Sequence, residues 1–292
     1  DLACSVIDSE MFAWLEGDSP ALSEAALAYV QRTSDRREVD WACSILMSDL
    51  LSSEGKKRFI AALPAQKEYW EVVGKLEETL VQAYWENVNV ILIQQNDRLE
   101  GVEHLLERGC TSHAIRLLAW MLHDEQELDV SRVVEALLGL DSSSDQLDRP
   151  SLSYDVAQLL KWLEQEDFGN PALPMLEFKF FDYVFDHEPA NALYRSLGND
   201  PDGFASLVHS LYSTDNIGIP EESRSVYKQR CWSVLYNWQH LPGLRDDGTI
   251  DGVYLVEWID RVRTRLSVEG NERDYDGQLG EVLASSPDGK DG

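Results

Sequence analysis

The stretch LPGLRDDGTIDGVYLVEW, residues 241–258, has the closely spaced carboxylates and glycines of a calcium loop. An EF-hand loop needs oxygen ligands at its first, third, fifth and twelfth positions and glycine at the sixth. Placing Gly248 sixth makes Asp247 the fifth residue, but it sets Gly243 first, Arg245 third and Tyr254 twelfth. The bidentate acid is therefore absent, and the residues suit a turn better than a metal loop. In that reading Gly243 and the Asp246-Asp247-Gly248 run reverse the chain. Asp251 then caps a helix whose buried face is Leu255, Trp258, Ile259, Val262 and Leu266.

A second group sits in LEFKFFDYVFDHE, residues 176–188, where Asp182, Asp186 and His187 could ligate a metal and Glu177 could serve as a catalytic carboxylate. Lys179, three residues before Asp182, offers that acid an ordinary partner on the helix surface. No second acid or base cluster completes a mechanism. The apolar residues Leu176, Phe178, Phe180, Phe181, Tyr183, Val184 and Phe185 surround most of the segment, which predicts a central helix buried on several sides. Cys110 and His113, with His104 and His123 near them in sequence, form a third group. Structural zinc takes four ligands, usually in two close pairs. That pairing is missing, so a buried thiol beside a hydrogen-bonded histidine is the expected arrangement. No GxSxG, HExxH or phosphate-binding loop occurs. Neither catalytic residues, a metal nor a cofactor is expected.

Charge is the remaining chemical signal. The chain has 292 residues, with 25 Lys and Arg against 53 Asp and Glu, a formal charge of −28. Such a surface repels nucleic-acid phosphates and anionic membranes and favours a basic protein partner. Acids are dense from Asp141 onward, and Asp141, Asp145, Asp148, Asp155, Glu164, Glu166 and Asp167 are the candidate partner-binding residues. The competing reading is a solvated, solubilising face, since these acids are interleaved with core residues. The RVRTR run of Arg261, Arg263 and Arg265 is too short to reverse the sign.

The elements that must position these residues are helical. Leucine- and alanine-rich segments recur between short polar turns from end to end, and alternating strand patterns are nearly absent. Ser19 caps and Pro20 opens a helix with Leu22, Ala25, Ala26, Tyr29 and Val30 on one face. NVNVILIQQ, residues 87–95, has β-branched content but reads as a turn or a buried helix end between helical neighbours. In VEHLLERGCTSHAIRLLAWML, Gly109 ends one helix, and Ala114, Leu117 and Leu118 face back from the next. Asp200 caps a helix bearing Phe204, Leu207, Val208, Leu211 and Tyr212. A further helix buries Tyr227, Cys231, Val234, Leu235 and Trp238. GLDSSSDQLDRPSLS, residues 139–153, separates an N-terminal helical array, 1–140, from a C-terminal helical domain, 151–292, with a linker at about 141–150. The expected fold is all-α, an irregular α-solenoid-like array of helical repeats in two parts. Four dispersed cysteines and no apolar run of membrane length predict a cytoplasmic protein with reduced thiols. A first residue of Asp suggests a piece of a longer polypeptide.

Taken as a set, KEYWEVV (67–73), AYWENVNV (83–90), LEGVEHLLERGCTSHAIRLL (99–118), SYDVAQLLKWL (153–163), LEFKFFDYV (176–184) and LYRSLGNDPDGFASLVHSLY (193–212) resemble the C-terminal helical region of a family of large bacterial multidomain proteins. LPGLRDDGTIDGVYLVEWIDRVR (241–263) continues the same order. The DPDGF helix start and the PG…DG..DG turn are its most specific parts. The family is loosely associated with antiviral defence, and the resemblance implies a sensing or scaffolding part whose effector chemistry lies in another domain. It supplies no functional residues. The chain departs from it at EFKFF, residues 177–181, where the family has EWAYL, and in its first forty residues. The expected function is thus a non-catalytic helical scaffold or protein-binding sensor module. The alternatives are an acidic DNA-mimicking inhibitor of a basic nucleic-acid-binding protein, or a metal-dependent hydrolase.

Overall fold

The structure, a computed structural model, describes residues 2–34, 39–141, 150–184, 190–212, 221–238, 241–245 and 247–268. These residues are all-α, and their only β-type pairing is an isolated bridge between Leu244 and Ile250. The chain forms two compact units, Asp1–Leu140 and Asp141–Gly292.

In the first unit the helices are α1 (Leu2–Glu16), α2 (Pro20–Ser34), α3 (Val39–Leu46), α4 (Ser53–Ala61), α5 (Lys67–Val73), α6 (Glu78–Asn87), α7 (Arg98–Glu107), α8 (Thr111–His123) and α9 (Val130–Gly139). Most pack on sequence neighbours, as α1 on α2, α5 on α6, α7 on α8 and α8 on α9, an order compatible with an irregular helical array. The 87–95 stretch closes α6 and then makes two 3₁₀ turns, Val90–Leu92 and Gln95–Asp97, with Val88, Val90 and Ile93 buried.

Helix ends here are tied by side chains from other helices. Glu16 of α1 accepts hydrogen bonds from Ser52 N–H (2.6 Å) and Ser52 Oγ (2.7 Å), while Ser52 Oγ in turn accepts from Gly55 N–H (3.1 Å) to cap α4. Arg58 of α4 returns the tie, donating from Nη1 to Leu15 O (2.9 Å) and Gly17 O (2.8 Å) at the end of α1. Two sets of otherwise orphaned backbone groups are satisfied by one helix pair. Gly109 ends α7 in a left-handed conformation, φ 68°, with Gly109 N–H donating to Leu106 O and Cys110 N–H to Leu105 O. This pairing is a Schellman motif, and it turns the chain directly into α8. Arg98, 6% exposed, donates to Asp124 (2.6 Å) and Gln126 (2.9 Å), joining the start of α7 to the α8–α9 loop. Trp70, Trp85 and His104 pack rings at 5.0–5.8 Å, so α5, α6 and α7 share one aromatic centre.

In α2 the buried side is Ala26, Val30, Thr33 and Ser34, whereas Leu22 is 44% exposed and Ala25 is also exposed. The expected face therefore holds only for the later turns of α2, which packs on α1, α3 and α4.

The second unit contains α10 (Pro150–Glu166), α11 (Leu173–Val184), α12 (Asn191–Asn199), α13 (Pro201–Tyr212), α14 (Glu221–Tyr236) and α15 (Gly252–Val268). As its apolar circumference predicts, α11 is central, packing against α10, α12 and α14 and burying Leu173, Leu176, Phe180, Phe181 and Val184. Phe185 lies outside the described residues. The core of the other helices closes on Phe204, whose ring lies 4.4 Å from Trp238 and 4.8 Å from Trp258. One residue of α13 thus holds the end of α14 and the middle of α15. Phe204→Ala is expected to destabilise this unit by about 3–5 kcal/mol, read as a lower denaturation midpoint in tryptophan fluorescence.

Candidate binding surface

The 241–251 loop is the turn that the sequence implies. Gly243 (φ 78°) and Gly248 (φ 79°) adopt left-handed conformations, and a Cβ at Gly243 would meet Asp251 O at 3.0 Å. Asp247 Oδ1 accepts from Thr249 N–H and Oγ1, and Asp251 Oδ1 accepts from Val253 and Tyr254 N–H as the cap of α15. Asp251 Oδ2 also pairs with Arg245 at 2.8 Å, so these carboxylates hold the loop itself. Asp246 lies outside the described residues.

Among the described residues no three His, Cys, Asp or Glu side chains gather to hold a metal ion. Asp186 and His187 fall outside them. His104 packs on Trp85 and His123 on Trp120. Cys43, Cys110 and Cys231 are free thiols. Burial pushes the Cys110 thiol up and raises Cys231 to about 11, so neither is a thiolate at neutral pH.

The candidate acids differ in exposure and in partners. Asp145 and Asp148 lie outside the described residues, Asp141 and Glu166 are exposed, and Asp155 is half-buried. Glu164 accepts from Asn191 Nδ2 (2.9 Å) and Asp167 from Asn170 Nδ2 (3.0 Å), so both hold local structure. Asp182 pairs with Arg230 of α14 at 2.7 Å, a tertiary partner that spacing along one helix does not reveal; Lys179 lies over the Phe180 ring.

A groove of about 400 Å³ opens between α11 and α14. Phe181, Asp182 and Tyr183 line one side, and Val226, Gln229, Ser233 and Asn237 line the other. The buried face of α14, with Tyr227, Cys231, Val234, Leu235 and Trp238, is the one its spacing predicts. The residues off that face are the surprise. Val226, Trp232 and Tyr236 are 52, 47 and 57% exposed, and the Trp232 and Tyr236 rings stack at 6.3 Å and 25°. Helical spacing sets this aromatic pair next to Gln229 and Ser233 on the surface of α14, beside the residues that line the groove. The signal for it was present in the sequence as two aromatics that fit no core stripe.

Glu177, considered as a catalytic carboxylate from its sequence context, has a different position. It is 5% exposed on α11, and it accepts from Leu193 N–H (2.5 Å) and Ala192 N–H (3.4 Å) in the first turn of α12. Ala190, at the cap position, has no side chain to do this. Burial, helped by the nearby Glu164 charge, pushes the Glu177 carboxyl up to about 7 despite the two N–H bonds. The folded unit therefore holds a proton that the unfolded chain releases at about pH 4.5. That stabilisation is complete below this pH and is lost as pH rises through about 7. Relative to Glu177→Gln, which cannot ionise, the wild-type unit should lose up to about 3 kcal/mol between these limits. Denaturant midpoints across the range check this, and parallel curves for the two proteins would refute it. Comparison with family models, curated proteins and solved structures finds no match.

Proposed function

We propose that this chain is a helical protein-binding module, a scaffold or sensor without chemistry of its own, and that the α11–α14 face is its contact surface. The stacked, half-exposed Trp232 and Tyr236 beside a groove lined by amide, hydroxyl and apolar groups carry this reading. Exposed aromatics of this kind leave water on contact with a partner and dominate interface energetics. The groove's one ionised pair, Asp182 with Arg230, is already internally neutralised, so recognition there depends on shape and apolar contact more than on charge. A place in a larger bacterial antiviral system rests on the sequence resemblance alone.

The formal charge of −28 favours a second reading, an acidic inhibitor that imitates DNA. Against it, Glu164 and Asp167 are engaged within their own unit. No described helix is long and apolar enough to cross a membrane.

Affinity capture from a bacterial lysate, with and without phage infection, separates the readings. A partner retained by wild type in high salt and weakened roughly thirtyfold by Trp232→Ala with Tyr236→Ala, helix content unchanged, is the expected result. Capture indifferent to that double variant would overturn the assigned face. Basic proteins that elute in salt and compete with DNA would install the inhibitor instead.

A further inference from the structure

In a chain this acidic, the first unit contains a groove of about 510 Å³ whose lining has no charged side chain. Its floor is the 61–66 segment between α4 and α5, and its rim is Gln31 of α2, Asn87 at the end of α6, Asn89 and Leu92. Four carboxamides, including Gln66, thus line it together with Ala61, Ala62, Leu63, Pro64 and Ala65, of which Ala62, Leu63 and Ala65 are buried. Gln31, Asn87 and Asn89 are exposed, and Leu92 is 65% exposed.

The main chain adds to this. Gln66 is extended, φ −119° and ψ 146°. The N–H groups of Ala65 and Gln66 have no acceptor among the described residues. Asn87 Nδ2 donates to Ala83 O (2.8 Å), which holds that amide in place and leaves its carbonyl oxygen to accept. The floor is rigid for its own reasons: Tyr84 OH donates to Pro64 O (2.8 Å), and Phe59, Ile60 and Tyr69 are buried on either side.

We propose that this groove binds an extended, uncharged segment of a partner polypeptide. A side-chain carboxamide presents one acceptor and a donor pair, which match the C=O and N–H of a peptide unit. The Gln66 N–H, without an acceptor on extended backbone, offers a donor to a main-chain carbonyl of the bound segment. The small floor residues admit a main chain at close range, and Leu92 supplies an apolar contact for one of its side chains. Charged segments are disfavoured, since nothing in the lining pairs with them and their desolvation would go uncompensated. The volume falls in the range of built ligand sites. Both this proposal and the α11–α14 assignment take a polypeptide as ligand, but they use different residues in different units.

The test uses the whole chain and a fluorescent pool of short, capped peptides composed of Ala, Ser, Thr and Leu, with lysine- and glutamate-bearing pools for comparison. Anisotropy should show saturable, salt-insensitive binding of the uncharged pool. Gln66→Ala with Asn89→Ala should weaken it about tenfold, and exposed Leu92→Glu should do likewise without loss of helix. Trp232→Ala with Tyr236→Ala should leave it unchanged, so failure here is distinguishable from failure of the α11–α14 assignment. No saturable binding of the uncharged pool, equal binding by the groove variants, or preference for the lysine pool with steep salt dependence would each overturn the proposal.

Discussion

A helix of seven to seventeen residues, the range found here, does not hold itself together in water. Each helix of this chain must bury an apolar face on a neighbour and must also satisfy the backbone groups at its ends. The first demand is met by aromatic centres at helix crossings, Trp70 with Trp85 and His104 in one unit and Phe204 with Trp238 and Trp258 in the other. The second is met in part by local caps such as Asp200 and Asp251 and in part by charged side chains reaching across from a different helix. Glu16 and Arg58 bind α1 and α4 to each other's ends, Arg98 fixes the α8–α9 loop, and Glu177 caps α12.

These cross-helix ties explain why charged residues in this protein are poor guides to chemistry. Glu177 has the burial and the elevated pKa of a catalytic acid, yet both of its oxygens face the first turn of a helix that lacks its own cap. Asp247 and Asp251 resemble metal ligands and instead close a turn and start α15. Perturbed titration marks functional sites only when a reacting group can reach them. The ties leave a stacked aromatic pair in one unit and an uncharged, amide-rimmed groove in the other, the two surfaces proposed for recognition.

How much of this was legible in the sequence differs by feature. Caps and stops were readable because their chemistry is local: Asp200 bonds Asp202 and Gly203 N–H, Asp251 caps α15, and Gly109 ends α7 with positive φ. Core faces were readable where a helix has one dominant stripe, as in α14, and less so in α2, where Leu22 fits the stripe but stays 44% exposed. Partners distant in sequence were not readable. Asp182 suggests Lys179 by spacing, while Arg230, 48 positions away, is the residue that meets it.

By itself the sequence determined the all-α class, several helix ends and many of the core residues, because periodicity, capping and turn chemistry act within a few residues. Tertiary structure alone decided what the remaining residues are for. It set Glu177 against the first turn of α12, gave Glu164 and Asp167 asparagine partners, and put Gln31, Gln66, Asn87 and Asn89 around one groove. These arrangements depend on how separate helices cross, and a crossing is set by the summed packing of both faces, which no short stretch of sequence contains.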